Sequence, residues 1–516
     1  MEAMVGVEEV DESLAGETSR CDRAVRLALE GRYAEAEAVS REALAIDPGD
    51  IDALNELGVA VWRQDRAEEA EAIYREAARS HPDDYRVWTN LGLLLMTQDR
   101  DPEAEACFRT ALAIHPRVFH AVMSLGSVVS NRGDFDGAAP MLEQALEMCP
   151  DSVEALQNAA VNLVRQGRWR EALALYDRGV AIDPLNPDLR RNRAYALLAT
   201  GDYEQGWPEH EWRLSHPKHG GVRINRTFWN GGRFEGQTLL LHFEQGYGDT
   251  LQFIRFAPMV KAMGGRVTLL CQPPLVRLLS RCEGVDLVCD GQGFEPACHI
   301  HAPLMSLPAI LGTTVETIPA RVPYLVAEPA QVEHWRSILD ASTSNDLETG
   351  VRPFRIGIAW QGQPKHRADH WRSFRLADLE PIARIPGTRL VSLQAEHGTE
   401  QIAGLDGRFP IVELPGRRAR DFSETAAIVA NLDLVIAPDS AVAHLAGGMG
   451  VPVWMGLSVA SEWRWMTGRD DSPWYPTLRL FRQSRLNDWG DVFGRMASAL
   501  VAVVEGGDNL RGTPAA

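Results

Sequence analysis

Residues 51–84 read IDALNELGVAVWRQDRAEEAEAIYREAARSHPDD, and the next stretch, 85–118, reads YRVWTNLGLLLMTQDRDPEAEACFRTALAIHPRV. Aligned without gaps, the two agree at Gly58 and Gly92, Ala70 and Ala104, Ala77 and Ala111, and Pro82 and Pro116. The 34-residue period continues in both directions. Prolines stand at 48, 82, 116, 150 and 184, and small residues at 58, 92, 126, 160 and 194. Two further small-residue ladders run 36, 70, 104, 138, 172 and 43, 77, 111, 145, 179. A fixed period of this size marks an array of supersecondary units, each unable to bury its apolar face alone. Small residues let two antiparallel helices approach closely, and the proline ends the second helix of each pair. Five units fall at 17–50, 51–84, 85–118, 119–152 and 153–186, with an incomplete sixth near 187–216.

A 34-residue helix-turn-helix with this alanine, glycine and proline pattern resembles the tetratricopeptide repeat. Such arrays stack into a curved solenoid whose concave face binds extended partners. Asn90, Asn158 and Asn192 share the sixth position of repeats three, five and six. An asparagine offers both a donor and an acceptor, so a row of them could clamp a peptide backbone without reading its sequence. The arrangement looks like the asparagine ladder of the eukaryotic O-GlcNAc transferase solenoid, although Glu56 and Ser124 hold the equivalent places in repeats two and four. Unrelated polar residues on exposed helix faces would give the same letters.

The whole chain has 516 residues, with 71 acidic and 52 basic side chains and a formal net charge of -19. That length allows about three domains, and the apolar and charged fractions are those of a folded protein. Residues 1–200 hold 36 acids and 21 bases, leaving 35 against 31 for the remainder. The acidity belongs to the repeat arm, where it reads mainly as a solvated surface, with a basic or polar protein segment as the sharper alternative. Nothing in the balance suggests a nucleic-acid binder. Only Lys218, Lys261 and Lys365 interrupt an otherwise all-arginine set of cations, as codon bias would produce. The acidic start lacks the apolar core of a secretory signal. The most apolar stretch, 434–460, is broken by Asp439, His444 and glycines before it reaches membrane-spanning length. Seven cysteines without a CxxC pair argue against a disulfide framework. Together these features lead to the expectation of a cytoplasmic protein.

After Asp202 the period changes. Tyr203, Trp207 and Trp212 read as a packed junction, and 216–233 as a Gly-, Pro- and base-rich connector. Short apolar runs then alternate with longer amphipathic stretches: 238–244, 267–272 and 285–290, and later 355–360, 389–394, 432–438 and 451–457. Apolar strands bounded by glycine and separated by helices indicate two parallel sheets, in units at 234–340 and 353–506. The polar stretch DASTSNDLETGVR, 340–352, reads as the linker between them. Doubly wound units place ligands at the C-terminal ends of their strands.

Three segments carry chemistry. HFEQGYGDTLQFIRF, 242–256, leaves a strand and opens a helix, with Gly246 and Gly248 allowing close backbone approach and Asp249 at the helix start. A carboxylate there is either a helix cap or a general base at a cleft mouth. GIAWQGQPKHRADHWRSF, 357–374, leads from a strand into a loop with Lys365, His366, Arg367, His370, Arg372 and Ser373. Such a cluster suits a diphosphate, which arginine can grip with two nitrogens, or is plain surface charge. In APDSAVAHLAGGMGVPVW, 437–454, small residues at 440 and 441 expose helix N–H groups as an anion site. His444 fits that site or a satisfied place in the core. The aromatics and arginines of 461–483 read as core packing before sugar stacking.

In this order, and with DFSETAAIVANLDLVIAPDSAVAHL and WRW…DSPWYPTLRLFRQ added, the segments resemble the bacterial tetratricopeptide-repeat glycosyltransferases. The catalytic half of those enzymes is similar to glycosyltransferase family 9, the lipopolysaccharide heptosyltransferases. The resemblance reaches about residue 505. It implies a two-domain GT-B fold, inversion at the anomeric carbon and no metal. It implies Asp249 as the base on the acceptor hydroxyl, and Asp439, Ser440, Ala441 and His444 as the Asp-Thr-Gly-x-x-His motif that binds nucleotide diphosphate and sugar. In that motif Ser replaces Thr and Ala replaces Gly. Lys365 or Arg372 answers to the family's phosphate-binding lysine, and Gln245, Gly248 and Ser373 complete the set of substrate contacts. No cofactor is implied, since the nucleotide-sugar is a substrate. The DxD at 134–136 lies within the repeats, and Cys282, Cys289, Cys298, His299 and His301 match no common zinc spacing. A protein acceptor on the solenoid follows from the same layout, flagellin or another secreted protein being an example. A repeat adaptor with a vestigial catalytic half and a transferase acting on a lipid-linked glycan are the competing readings.

Overall fold

The computed structural model describes residues 20–215, 224–292, 297–343, 352–365, 368–414 and 421–506. The expected start of the first repeat (17–19), residues 216–223 of the connector, residues 344–351 of the linker, His366 and Arg367 lie outside the described residues, Lys218 among them. Two compact units result. One runs to Gln166 and includes Ala174–Pro184; the other takes Gly167–Leu173 and the chain from Leu185 onward.

The repeats form helix pairs at Arg20–Leu29 and Tyr33–Ile46, Ile51–Trp62 and Ala67–Ser80, Tyr85–Thr97 and Asp101–Ile114, and Phe119–Asn131 and Phe135–Met148. Val153–Arg165 with Trp169–Ile182 and Pro187–Thr200 with Tyr203–His210 complete the series. Each ladder has a local cause. The first-helix small residue admits a large side chain sixteen positions on: a Cβ at Gly58 would lie 2.4 Å from the Tyr74 ring, and one at Gly92 2.6 Å from Phe108. Two residues after four of the five prolines stands an N-cap, Asp50, Asp84, Ser152 or Asn186, whose side chain accepts from a first-turn N–H. Val118 holds the remaining place without a side-chain cap. The turn inside each pair passes through a left-handed residue at 31, 65, 99, 133, 167 and 201. This further 34-residue ladder is hidden in the sequence because Gly fills four of its places and Asp, tolerant of that conformation, fills two.

The asparagine ladder needs correction at one rung. Asn90 is fully buried, and its amide donates to Asn55 Oδ1 at 2.8 Å, so it faces the neighbouring helix and not an open groove. Asn158 and Asn192 are half-buried.

The second unit contains two five-stranded parallel sheets. The first has order β1 (Thr227–Phe228), β5 (Ile300–Pro303), β2 (Thr238–His242), β3 (Arg266–Leu270), β4 (Leu287–Cys289). The second has order β10 (Leu478–Arg482), β9 (Val453–Leu457), β8 (Leu434–Pro438), β6 (Phe354–Ile358), β7 (Thr388–Ser392). All seven expected runs contain strands, and β1, β5 and β10 are additional. In each sheet the strand order reverses once, between β5 and β2 and between β8 and β6; crevices at such points hold ligands. The linker expected from Asp340 begins inside a helix, Pro329–Thr343.

The junction aromatics pack within this unit. Tyr203 and Trp207 are each 2% exposed, Trp207 donates from its indole to Thr313 O at 2.9 Å, and Trp474 donates to Tyr203 Oη at 3.2 Å. Below them Arg213 forms two bonds to Glu244, at 3.1 and 2.8 Å, with both side chains almost wholly buried.

Candidate functional site

A cavity of about 800 Å³ opens at the C-terminal ends of β2, β3, β6, β7 and β8. Gln245–Asp249 enter from β2, Gln272 from β3, Ala359, Gln361–Gln363, Lys365 and Arg372 from β6, and Leu393–His397 from β7. Asp439–Val442 and His444 come from β8, and Glu462 and Arg464 from the loop after β9. Nine of the residues singled out in the sequence therefore share one space: Gln245, Gly248, Asp249, Lys365, Arg372, Asp439, Ser440, Ala441 and His444. Ser373 stands just behind it, its Oγ accepting from the Gly362 N–H at 3.0 Å.

Amides fix the cavity floor. Gln272 Nε2 donates to the carbonyls of Gln245 and Gly246 at 2.9 and 3.2 Å, while its oxygen accepts from Thr250 Oγ1. Across the cavity, Gln394 Oε1 accepts from the N–H groups of Trp360 and Gln361, and its nitrogen donates to the carbonyls of Gln361 and His397. These glutamines tie together loops from adjacent strand ends, a task the sequence reading did not assign.

Asp249 lies in the first turn of the helix Tyr247–Phe253, and its Oδ2 accepts from the Gly246 N–H at 2.9 Å. It is thus a helix cap as well as a cavity residue. Its other oxygen accepts from Arg464. Burial pushes the Asp249 carboxyl above the usual range, and Arg464 opposes that push. Arg464 is itself nearly buried, donates from Nε to Gln252 Oε1 at 2.8 Å and pairs with Glu462. The sequence offered no sign of this pairing, because its partners lie 212 and 215 residues away.

On the other wall, Ser440 precedes the helix Ala441–Gly448 without capping it, and its Oγ is buried without a hydrogen-bond partner among the described residues. His444 shares a 2.7 Å hydrogen bond from Nδ1 with Tyr475 Oη, and its Nε2 lies 3.8 Å from Asp439. Burial, reinforced by Arg464, Arg255 and Arg372, holds the imidazole pKa well below its ordinary value, so the ring is neutral. Burial and then the nearby Glu462 charge raise Asp439 to about 6, against Arg372 and Arg464. The two walls meet where a Cβ on Gly248 would lie 2.8 Å from His444 Cδ2, which explains the glycine. Arg372 lies at the edge, with Nε donating to the buried Asp369 at 3.2 Å, and Lys365 is exposed beside it. The space therefore offers a partly paired carboxylate, a half-buried helix start and two cations.

Among the described residues no group of three His, Cys, Asp or Glu is arranged to hold a metal ion, and no helix is long and apolar enough to cross a membrane.

Comparison with known proteins identifies the helical part. The tetratricopeptide-repeat family model matches residues 27–89, 61–125, 132–184 and 163–206, and this region consists of such repeats. Over 336 residues the chain is 30% identical to Protein FlbA of Caulobacter vibrioides, a match covering 60% of this chain and 54% of FlbA. The chain thus spans about half the length of that curated relative. Among solved structures, PilF of Pseudomonas aeruginosa matches at 20% identity and a TM-score of 0.34, covering 38% of this chain and 88% of PilF. PilW, a type IV pilus biogenesis factor, matches at 21% and 0.35, covering 38% and 90%.

Proposed function

We propose that the α/β part is a GT-B glycosyltransferase that transfers a sugar, with inversion and without a metal, from a nucleotide-sugar to an acceptor. The supporting observation is the convergence on one cavity of Asp249 from one sheet and of Lys365, Arg372 and the Asp439–His444 segment from the other. Inverting transfer needs a base for the acceptor hydroxyl and positive charge for the departing diphosphate. Asp249 takes the hydroxyl proton as the acceptor oxygen bonds to the anomeric carbon. The bond from that carbon to the diphosphate oxygen breaks, and its electron pair leaves with the diphosphate. Lys365, Arg372 and the N–H groups that open the helix Ala441–Gly448 receive that charge. Ser440 Oγ, buried and unmet, is suited to a phosphate or sugar oxygen.

The repeats are proposed to hold a protein acceptor, since tetratricopeptide arrays serve protein–protein interaction. Nothing in this reading requires a lipid or a nucleic acid, and a cytoplasmic site of action suits a cytoplasmic nucleotide-sugar pool. Melting the full chain with UDP-, GDP-, ADP- and CMP-sugars tests the donor half. A stabilising nucleotide-sugar is expected; if none shifts the melt, the adaptor reading replaces this one.

A further inference from the structure

No motif gives Arg464 a task, yet its side chain, 7% exposed, is engaged at every nitrogen. Nε donates to Gln252, one terminal nitrogen to Asp249 and the other to Glu462, while the guanidinium lies 4.5 Å from the Trp463 ring centroid. Gln252 is fully buried, and its amide nitrogen has no partner among the described residues. An unmet buried donor is unfavourable, so this carboxamide is kept for what its oxygen does, which is to hold Arg464.

The consequence falls on Asp249. A carboxyl group serves as a base only when ionised, and burial favours the neutral acid. Gly246 N–H and Arg464 each occupy one carboxylate oxygen, leaving a lone pair on each. Around the group, Glu462 favours the neutral form, while Arg464 and, from farther away, Arg213 favour the charged one. Neighbouring His444 is neutral, and Asp439 favours the charged form of Arg464. We propose that Arg464 is the positioning residue that keeps Asp249 ionised and oriented in the cavity, with Gln252 holding the guanidinium in place. This rests on the reading of Asp249 as the base.

The test needs no substrate. Arg464→Met keeps the apolar stem and removes the cation, leaving a buried carboxylate that must charge as pH rises. Its folded pKa rises further above the unfolded value, so the variant loses stability relative to the parent between about pH 5 and pH 8. Urea midpoints of the full chain are compared at those two pH values. The expected result is a deficit larger at pH 8, which Asp249→Asn in the double variant removes. An equal deficit at both values, or one that still grows in the double variant, overturns the proposal. If Arg464→Met folds only at pH 5 the proposal stands; if it and the double variant fold at neither, it falls. With any nucleotide-sugar that the parent hydrolyses, Arg464→Gln should move the acid limb of turnover up by about 1–3 pH units, and Arg464→Lys should restore it. Failure of every nucleotide-sugar to bind the parent would sink the transferase reading and leave the urea result intact.

Discussion

Glu56 offers a direct test of how the repeat core is built. It lies in the helix Ile51–Trp62, is 8% exposed, and occupies the register that holds asparagine in three later repeats. Arg86, the cation nearest in effect, is committed to Asp84 and Asp52 at 2.6 and 2.7 Å. Burial pushes Glu56 up to about 7, Arg86 opposing and Asp52 adding to the rise. In the unfolded chain the group titrates near its ordinary value of about 4.3. A folded pKa above the unfolded one means that stability is greatest below the unfolded value and is lost as pH rises toward the folded value. At about 1.4 kcal/mol per unit, the ionised form therefore costs about 3–4 kcal/mol above pH 7. Glu56→Gln should recover most of that, about 2–3 kcal/mol at pH 8, and change little at pH 4.5. Hydrogen exchange of the amides in Ile51–Trp62 and Tyr85–Thr97 within the full chain reports the local opening energy. Protection that is equal in parent and variant at pH 8 would refute the argument from burial.

Four further outcomes follow from packing and charge. Gly92→Ala should destabilise the repeats by about 1–3 kcal/mol, because its Cβ meets the Phe108 ring; a melt of the full chain checks it. Arg213→Met takes the guanidinium from the buried Glu244 carboxylate and should cost about 3–5 kcal/mol in urea unfolding. Under the proposed mechanism, Asp249→Asn should reduce sugar transfer by at least about 100-fold, while equilibrium dialysis still shows nucleotide-sugar binding. Binding of a nucleotide-sugar, whose phosphates do not titrate near neutrality, should weaken as pH rises from about 6 to 8, since an anion favours protonated Asp439; calorimetry would read this directly.

The repeat array was legible because one spacing recurs through several independent ladders, each tied to a steric or capping demand. The left-handed ladder escaped because two residue types meet the same demand. Strand expectation succeeded where runs are continuously apolar, as at Leu434–Pro438, and failed where they are not. Edge strand β10 reads LRLFR, β1 has two residues, and β5 carries a histidine and a proline. The cavity residues were legible because they follow strand ends within short motifs. Arg464 was not, since its meaning lies in a carboxylate 215 residues away. Asn90 shows the converse: a register shared in sequence does not fix exposure, and contact with Asn55 closes that rung.

The cavity sets an electrostatic problem for any phosphate ligand. Its lining holds Asp249, Glu396, Asp439 and Glu462 against Lys365, Arg372 and Arg464. Arg464 is consumed by Asp249 and Glu462, and Arg372 is shared with Asp369. Summed formal charge would repel a diphosphate, so its placement must decide. The carboxylates Asp249 and Glu462 are grouped around one guanidinium, where the proposed mechanism has its proton acceptor. Lys365 and Arg372 come, like Glu462, from the second sheet, with a helix start and a buried, unmet serine hydroxyl. Asp439 stands at that second wall with a pKa near 6, so it can shed its charge when an anion arrives. Under the proposed mechanism, the shared guanidinium between Asp249 and Glu462 and the protonation of Asp439, not an overall positive field, let one acidic cavity hold both a base and a departing phosphate.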